Sequence, residues 1–264
     1  MAEAGRLSLP AAPAPWIDPV TLVRIGIIAG VLVFWELIAR SGLLYRDVVP
    51  SLIAIGKALF AMLGDSSFYV NLGTTAYEIA IAMLIGGLSG LAVGILLGGS
   101  AFMARAYEAY LYYLGPCPKI IFFPIMIMWF GVGPGSKIAM GAISCFFPVA
   151  LNAAGGMREI DRVLIRVGRS FRASTWQMIT KIYLPAMRHP VINGVRLGLG
   201  VALIGTLLAE TKLSNRGIGF LVIQAYSLFN MPQMYALLII LFVIAIGANT
   251  LIGRIGGLDA IRRS

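Results

Sequence analysis

Length, composition and charge already restrict the class of protein. The chain has 264 residues, of which 59% are hydrophobic and only 12% charged, and its mean hydropathy is +0.89. Soluble domains carry about 25% charged residues, so this composition argues against a soluble enzyme and favours a protein embedded in lipid, whatever the net charge of +10 suggests.

Apolar segments long enough to cross a bilayer recur along the chain, and such a span takes about 20 residues. Six are predicted, at 21–40, 74–99, 105–131, 137–156, 191–211 and 234–253. Residues 1–18, rich in Ala and Pro, are predicted to be a short disordered cytoplasmic lead without a cleaved signal peptide. Residues 19–257 are predicted to form the transmembrane domain and 258–264 a cytoplasmic tail.

Arginine and lysine are distributed unevenly between the segments that join the spans. They gather near Arg6, Arg24 and Arg105, densely over 158–188, and again at Arg254, Arg262 and Arg263. The other segments hold fewer: Arg46, Lys57, Lys137, Lys212 and Arg216. With six spans the rich segments fall on one side, and positively charged loops usually stay in the cytoplasm. We therefore predict that both termini and the loop 158–190 are cytoplasmic, and that the basic charge reflects topology rather than nucleic-acid binding.

The second and fifth spans carry small residues at intervals of four. They are Gly86, Gly90, Gly94 and Gly98 in the second span, and Gly194, Gly198 and Ala202 in the fifth. Small residues at this spacing let two helix backbones approach closely in lipid. We expect these two spans to pack tightly on neighbouring helices of a polytopic bundle.

The third span is irregular. Pro116, Pro118 and Pro124 interrupt it, and Lys119 lies near its middle. A proline inside a helix removes a hydrogen bond and kinks the chain, and a lysine inside the membrane points by default to a polar pathway. Alternatively the span is tilted or re-entrant, which would let Lys119 reach an interface. The sequence leaves both alternatives open.

A few other polar or reactive residues lie within or beside the predicted spans. Glu36 lies in the first span, and Glu210 lies near the end of the fifth, where we expect water to reach it. Cys117 and Cys145 are predicted to be buried, inert thiols, because they form no metal-binding or disulfide pattern. His189 is the only histidine and is expected to be structural or solvated. No metal site is predicted.

The segment 157–190 is long, basic and amphipathic. Its arginines follow one another at helical spacing: Arg158, Arg162, Arg166, Arg169 and Arg172. On an α-helix they fall within an arc of roughly 120°, and the apolar residues opposite fall within about 60°. Those apolar residues are Leu164, Val167, Phe171, Met178 and Ile182. The pattern predicts a surface helix that either rests on lipid headgroups or docks on a partner protein.

Motifs for catalysis or nucleotide binding are not evident in the sequence. We find no His/Cys cluster with metal-ligand spacing, no G-x-S-x-G motif and no G-x-x-x-x-G-K-[ST] phosphate loop. If ATP powers this protein, another chain must bind it.

Two segments resemble the permease subunits of bacterial ABC importers. Residues 169–185, RSFRASTWQMITKIYLP, resemble the family's cytoplasmic signature, which ends in I-x-L-P, here Ile182, Leu184 and Pro185. Residues 118–137, PKIIFFPIMIMWFGVGPGSK, resemble a span of the nitrate, sulfonate and taurine branch. Shorter matches follow at Phe147-Pro148, Asn152, Gly156, Asn193-Gly194-Val195-Arg196, Ala209-Glu210 and Gly217-Ile218-Gly219, so the resemblance covers roughly 20–255.

The resemblance implies an all-α, polytopic membrane protein of the type I ABC importer permease kind, with about six transmembrane helices and a cytoplasmic coupling helix. It also implies a bacterial inner-membrane location and a set of partners: two ATPase subunits that carry ATP and Mg, a second permease copy, a periplasmic solute-binding protein and membrane lipid. No cofactor is expected in this chain. The expected solute is a small anion such as a sulfonate, taurine or nitrate, with an aromatic acid or a thiamine precursor as alternatives.

The same resemblance assigns candidate site residues. The expected ATPase-coupling residues are Ser170, Phe171, Arg172, Ala173, Ser174, Thr175, Trp176, Ile182, Leu184 and Pro185. The candidates for the translocation path are Lys119, Pro124, Met128 and Glu210. The apolar side of the loop is expected to hold it against the ends of neighbouring spans, which leaves cationic and small residues for the partner.

The chain departs from the family pattern in two places. Arg166-Val167-Gly168 stands where the family has E-A-A, and Arg172 replaces a glycine that permits a turn between two short helices. Arginine is disfavoured at positive φ, so we expect the join between those helices to be more continuous here. An ion-gradient-driven secondary transporter is the alternative function, but it would need an ion site and inverted repeats, and neither is evident.

Overall fold

The computed structural model describes residues 19–43 and 48–255. Across these residues the chain is helical and contains no β-strand, which confirms the all-α prediction. The predicted lead 1–18 and tail 258–264 lie outside the described residues, as does Arg46. The chain divides into two compact units, 1–54 and 55–264.

The first unit contains helix α1, Pro19–Ser41, which matches the first predicted span. The indole Nε1 of Trp35 donates a hydrogen bond to the carbonyl of Pro50 at 3.1 Å. Glu36 accepts from Arg40 at 2.7 Å and from the backbone N–H of Leu52 at 2.9 Å. Leu52 begins helix α2, Leu52–Leu63. Glu36 therefore pairs with one cation and satisfies one of the free N–H groups at a helix start.

Helix α3, Ser66–Gly99, begins eight residues before the predicted second span. Asp65 caps it by accepting from the backbone N–H of Ser67 at 2.9 Å and from its hydroxyl at 2.6 Å, and these bonds hold the pKa of Asp65 below its usual value. The polar side chains of Asn71 and Thr74 bond back to carbonyls of their own helix. The early turns are therefore helical although their composition is not typical of a span.

The third predicted span is two helices joined at a sharp bend. Helix α4, Ala101–Leu114, is followed by a 3₁₀ turn, Lys119–Phe122, and by helix α5, Phe123–Phe130. The two parts are inclined at 91°. The break contains Pro116 and Pro118, whereas Pro124 lies in the first turn of α5, where a proline is well tolerated. The expectation that Pro124 interrupts the span was therefore wrong.

Seven further helices, long and short, complete the described part of the larger unit. They are α6, Pro134–Arg158; three short helices, α7, Arg162–Ser170, α8, Thr175–Met178, and α9, Leu184–Ala186; then α10, Arg188–Lys212; α11, Ile218–Ser227; and α12, Met231–Ile255. Among the described residues, five helices are long and apolar enough to cross a membrane, and six if the bent pair counts as one span. This confirms the prediction of about six spans; α2 and α11 were not predicted.

Helix α6 is the centre of the larger unit and packs against both α3 and α10. A Cβ added at Gly86 would lie 2.3 Å from the carbonyl oxygen of Ala142, and one at Gly98 would lie 2.3 Å from the Cβ of Met157. On the α10 side, a Cβ at Gly198 would lie 2.8 Å from the Sγ of Cys145. The predicted tight packing of both small-residue rows is therefore confirmed, and α6 is the partner of both.

The two cysteines differ in their surroundings. Cys145 has no exposed surface, as predicted for a packing residue. Cys117 lies in the bend between α4 and α5 and is exposed, so the expectation that it is buried was wrong. The proline break turns this part of the chain out of the helix packing.

Candidate functional site

The loop between α6 and α10 is a short helical hairpin. Asp161 caps α7 by accepting from the N–H of Val163 at 2.7 Å. Helix α7 is followed by a turn at 171–174, then by α8, a π-helical turn at Ile179–Tyr183 and α9. The prediction of one long surface helix was wrong, because the arginine spacing continues through the turn.

Arg172 adopts a left-handed conformation, with φ of +50°. The N–H of Phe171 donates to the carbonyl of Val167 at 3.1 Å, and the N–H of Ala173 donates to that of Gly168 at 3.0 Å, which closes the end of α7. The expectation of a more continuous join at Arg172 was therefore wrong. The turn that glycine permits in relatives is kept here with an arginine in it.

A second helix start follows at once. The Ser174 hydroxyl accepts from the N–H of Gln177 at 3.3 Å, and the Gln177 side chain accepts from the N–H of Ser174 at 2.9 Å. This reciprocal capping box fixes where α8 begins and makes a break before it favourable. Ser174 therefore has a structural role that the sequence analysis did not identify.

The inner face of the hairpin is tightly packed. Gly168 is buried, and a Cβ there would lie 2.3 Å from the Cδ1 of Ile182 and 2.6 Å from the Sδ of Met178. Met178 and Ile182 thus hold α7 against the returning arm of the hairpin. Phe171, predicted to lie on the same apolar face, is instead 83% exposed, because the turn carries it away from the packed face.

The base of the hairpin is joined to the long helices. Met157, Ile160 and Met187 are buried together, and Ile165 and Tyr183 of the hairpin pack against them. Arg158 forms a double ion pair with Glu108 of α4, with Nη2 2.7 Å from Oε1. Arg158 therefore belongs to the bundle and is not part of a stripe with the other arginines.

The tip of the hairpin is open to solvent. Phe171 and Trp176 are 83% and 73% exposed. Of the other predicted coupling residues, Ser170, Arg172, Ser174 and Thr175 are exposed, Ala173 is half-buried, Leu184 is half-buried and Pro185 is exposed. The tip thus presents two aromatic side chains beside cationic residues on a short, capped structure.

Three of the predicted path residues lie on the bent segment. The Lys119 ammonium donates to the carbonyl of Gly115 and, at 3.3 Å, to that of Cys117, and it lies 5.0 Å from the ring centroid of Phe147. Lys119 therefore satisfies carbonyls that the proline break releases. Pro124 lies in the first turn of α5, and Met128 on the same helix is 83% exposed.

Glu210 lies apart from these three residues and is fully buried. It accepts from the Thr75 hydroxyl at 2.7 Å and from the N–H of Gly219 at 2.6 Å, and the N–H of Ile218 donates to Thr75 at 2.8 Å. A Cβ at Gly217, whose φ is +105°, would lie 2.4 Å from the carboxyl carbon of Glu210. The expectation that water reaches Glu210 was wrong, because this carboxylate holds the start of α11.

Two more charged residues are buried beside Glu210. Lys137 is 1% exposed and donates to the carbonyls of Val132 and Gly133. Glu78 is also 1% exposed, and among the described residues its Oε2 has no hydrogen-bond partner. Lys137 lies close enough to attract both carboxylates. Lys137 was predicted at the boundary between a loop and the span 137–156, and it lies in the first turn of α6, at the end opposite to the hairpin.

Comparison with known proteins gives consistent matches over most of the chain. Residues 90–258 match the family model described as binding-protein-dependent transport system inner membrane component. The chain is 30% identical to a putative aliphatic sulfonates transport permease of Bacillus subtilis (strain 168), over 82% of this chain and 78% of that one. It is also 30% identical to the taurine transport system permease of Escherichia coli (strain K12), over 80% of this chain and 78% of that one.

The fold is similar to that of a solved transporter. A chain of the methionine ABC transporter MetNI in an inward-facing conformation matches with a TM-score of 0.60 and 22% identity. The match covers 72% of this chain and 92% of that chain. At this identity the likeness concerns the fold, and it supports the type I permease architecture.

Proposed function

The chain belongs to the binding-protein-dependent transport system inner membrane components, in the sulfonate, taurine and nitrate branch of ABC importer permeases, and from this premise we propose that it forms the membrane path for a small anion. A periplasmic binding protein delivers the solute, and two ATPase subunits drive two permease copies. ATP and Mg are held by the ATPase. The sulfonate and taurine relatives support a solute that carries an anionic sulfonate group; an aromatic acid or a thiamine precursor is the alternative solute.

The observation that carries the coupling part of this proposal is the exposed tip of the hairpin. Large aromatic side chains and arginine are the residues that most often dominate protein–protein interfaces. Phe171 and Trp176 are mostly exposed, and Arg172 lies between them in the chain. We therefore assign the tip as the surface that docks on the ATPase.

The base of the hairpin supports transmission of force to the bundle. Helix α7 follows shortly after α6, and only Met187 separates α9 from α10. The cluster of Met157, Ile160 and Met187 joins the hairpin to both long helices. A displacement of the tip would then move α6 and α10 as packed bodies, which is the rigid-body form of alternating access.

The proposed orientation places the hairpin and both termini in the cytoplasm of a bacterial inner membrane. The uneven distribution of arginine and lysine supports it. The cluster of Glu78, Lys137 and Glu210 then lies toward the periplasmic side, since it is at the opposite end of the bundle.

An interaction assay tests the docking surface. The permease is purified with its ATPase in detergent, and the affinity of the ATPase is measured for Phe171→Ala, Trp176→Ala and a matched control, Phe60→Ala. Phe60 is 76% exposed but lies on α2 rather than on the hairpin. Loss of an aromatic anchor typically costs about 2 kcal/mol or more, so we expect the two tip variants to weaken binding by about 30-fold. Equal affinity of the ATPase for all three variants would show that the hairpin tip is not the surface that docks on the ATPase.

A further inference from the structure

A cleft that contains a group of polar side chains opens between α6, α10 and α12. Its volume is about 580 Å³. Its polar side chains come from all three helices: Asn152 from α6, Asn193 and Arg196 from α10, and Asn249 from α12. The rest of the lining is mainly apolar. Amide groups and one guanidinium thus converge where three membrane-spanning helices meet.

The cleft lies in the half of the spans nearer the hairpin, where Arg196 and Asn249 are five and four residues from the ends of the predicted spans 191–211 and 234–253. Arg196 follows the start of α10 at Arg188 by eight residues, and Asn249 precedes the end of α12 at Ile255 by six. At a rise of about 1.5 Å per residue, these positions are roughly 12 Å and 9 Å from the helix ends. Polar and charged side chains within membrane-spanning helices are rare and usually face the bundle interior or a water-filled cavity.

Arg196 has no acidic partner in the part of the chain that the structure describes. The ion pairs found there join Arg40 to Glu36 and Arg158 to Glu108. The Nε of Arg196 donates to the Oδ1 of Asn249 at 3.0 Å. This bond orients the guanidinium through Nε, and neither terminal nitrogen has a hydrogen-bond partner among the described residues. A fork of two parallel N–H donors is the group that binds planar and tetrahedral oxyanions best.

A second cleft extends this polar surface toward the hairpin. Its volume is about 540 Å³, and it shares Asn152 and Asn193 with the first. It ends at His189 and the exposed Glu159. The Nδ1 of His189 is buried without a hydrogen-bond partner among the described residues. The two clefts therefore adjoin at Asn152 and Asn193, between Arg196 and the base of the hairpin.

We infer that Arg196, oriented by Asn249 and assisted by Asn193, binds the transported anion at a step of its passage through the membrane. The ligand class is a small oxyanion, such as a sulfonate or nitrate. This inference rests on the proposed importer function and names the part of the path that selects for negative charge. A purely structural role, in which Arg196 only ties α10 to α12, is the competing account.

The first test measures charge selectivity in the cleft without any assumption about the solute. Asn193→Cys is made in a Cys117→Ser background, which leaves the fully buried Cys145. The complex with the ATPase is treated with an anionic sulfonatoethyl methanethiosulfonate and with a cationic trimethylammonium analogue. The rate at which the thiol reacts with the anionic reagent is divided by its rate with the cationic reagent. This ratio is then divided by the same ratio measured for Phe60→Cys in the same background.

Residues three apart on a helix have Cβ atoms about 5–6 Å apart. At that distance in water, one positive charge raises the local concentration of a monovalent anion about threefold and lowers that of a monovalent cation about threefold. We expect the normalised ratio to favour the anionic reagent by about tenfold and to fall to about one with Arg196→Gln. Glutamine retains a donor for Asn249 but not the charge.

Asn249→Ala separates the effect of the Arg196 charge from a structural role, because it removes the hydrogen bond between α10 and α12 and keeps Arg196. We expect it to retain most of the preference for the anionic reagent. A normalised ratio of about one with Arg196 present would overturn the inference. The same holds if the thiol introduced by Asn193→Cys reacts with neither reagent, since the cleft would then be closed to small ions.

The second test separates this inference from the proposed function. Uptake of taurine, ethanesulfonate and nitrate is measured together with ATP hydrolysis in proteoliposomes. We expect Arg196→Gln to lower uptake per ATP hydrolysed at least tenfold, and Arg196→Lys to retain part of it. ATP-driven uptake of an anion that is unaffected by Arg196→Gln would overturn the anion step and leave the permease function standing. Failure of every ATPase to couple would instead overturn the proposed function.

Discussion

Gly94 offers the sharpest test of how the bundle is packed. A Cβ at this position would lie 2.4 Å from the Cβ of Ala153 and 2.6 Å from the carbonyl oxygen of Ala150. Neither atom belongs to a flexible side chain, so α3 and α6 would have to separate to admit a methyl group. Overpacking of this kind costs about 1–3 kcal/mol.

The control lies on the same helix. A Cβ at Gly87 would meet nothing within 4 Å. Replacing a glycine in a helix by alanine gains up to about 1 kcal/mol when there is space for the methyl group. Gly94→Ala should therefore destabilise the protein by up to about 2 kcal/mol net after the full helix-propensity gain, whereas Gly87→Ala should be neutral or stabilising. The two changes have opposite signs although the chemistry is identical.

The measurement is the thermal unfolding midpoint of each variant in the same detergent, followed by the loss of the monodisperse peak in size-exclusion chromatography. A larger residue, as in Gly90→Leu, should reduce the yield of assembled permease as well. If Gly94→Ala and Gly87→Ala unfold at the same temperature, α3 and α6 are not in close contact, and the packing argument fails.

Three further predictions concern the hairpin, the buried cluster and the topology. Arg172→Gly should stabilise the hairpin by about 1 kcal/mol, because glycine adopts positive φ without strain; slower proteolytic cleavage at the tip would show it, and faster cleavage would contradict it. Glu210→Gln should lower the unfolding midpoint by an amount equivalent to about 2–3 kcal/mol, since bonds from Gly219 and Thr75 to a charged acceptor are lost or weakened; an unchanged midpoint would show that the network contributes little. Ser170→Cys should be inaccessible to an impermeant thiol reagent added outside intact cells, and labelling from outside would reverse the predicted topology.

Much of the membrane architecture could be predicted from the sequence, because a span must be long and apolar whatever it packs against. The first eight residues of α3 were missed since Ser66, Ser67 and Asn71 lower the local hydropathy, although the Asn71 side chain bonds to a carbonyl of its own helix. The short helices α2 and α11 fall below the length of a span. Helix length in these segments is set by local hydrogen bonds that hydropathy does not report.

The hairpin could be predicted only in part. The spacing of arginines at three and four residues is unchanged across the turn, so periodicity alone could not reveal the break at Arg172. The capping pair Ser174 and Gln177 was the available signal, since a serine followed three residues later by glutamine marks a helix start. Read together with the glycine of the family pattern, it would have predicted two helices.

The burial of Glu210 could not be predicted from its neighbours in the chain. Its partners Thr75 and Gly219 lie on α3 and at the start of α11, and only the folded bundle brings them together. The same holds for Lys137 and Glu78. A charge at the end of a predicted span is expected to reach water, unless a distant segment folds over it, as the turn at Gly217 does here.

The most direct test of the proposed role of the hairpin tip is to measure how ATP hydrolysis is coupled to uptake when the tip is altered. The double variant Phe171→Ala, Trp176→Ala is reconstituted with its ATPase and binding protein, and hydrolysis and uptake are measured in the same proteoliposomes. Both side chains are exposed, so the permease should remain folded, with the unfolding midpoint of the unaltered protein. We predict that uptake falls at least tenfold and that the binding protein no longer stimulates hydrolysis. Full uptake with full stimulation would contradict the claim that this tip transmits the energy of ATP to the bundle.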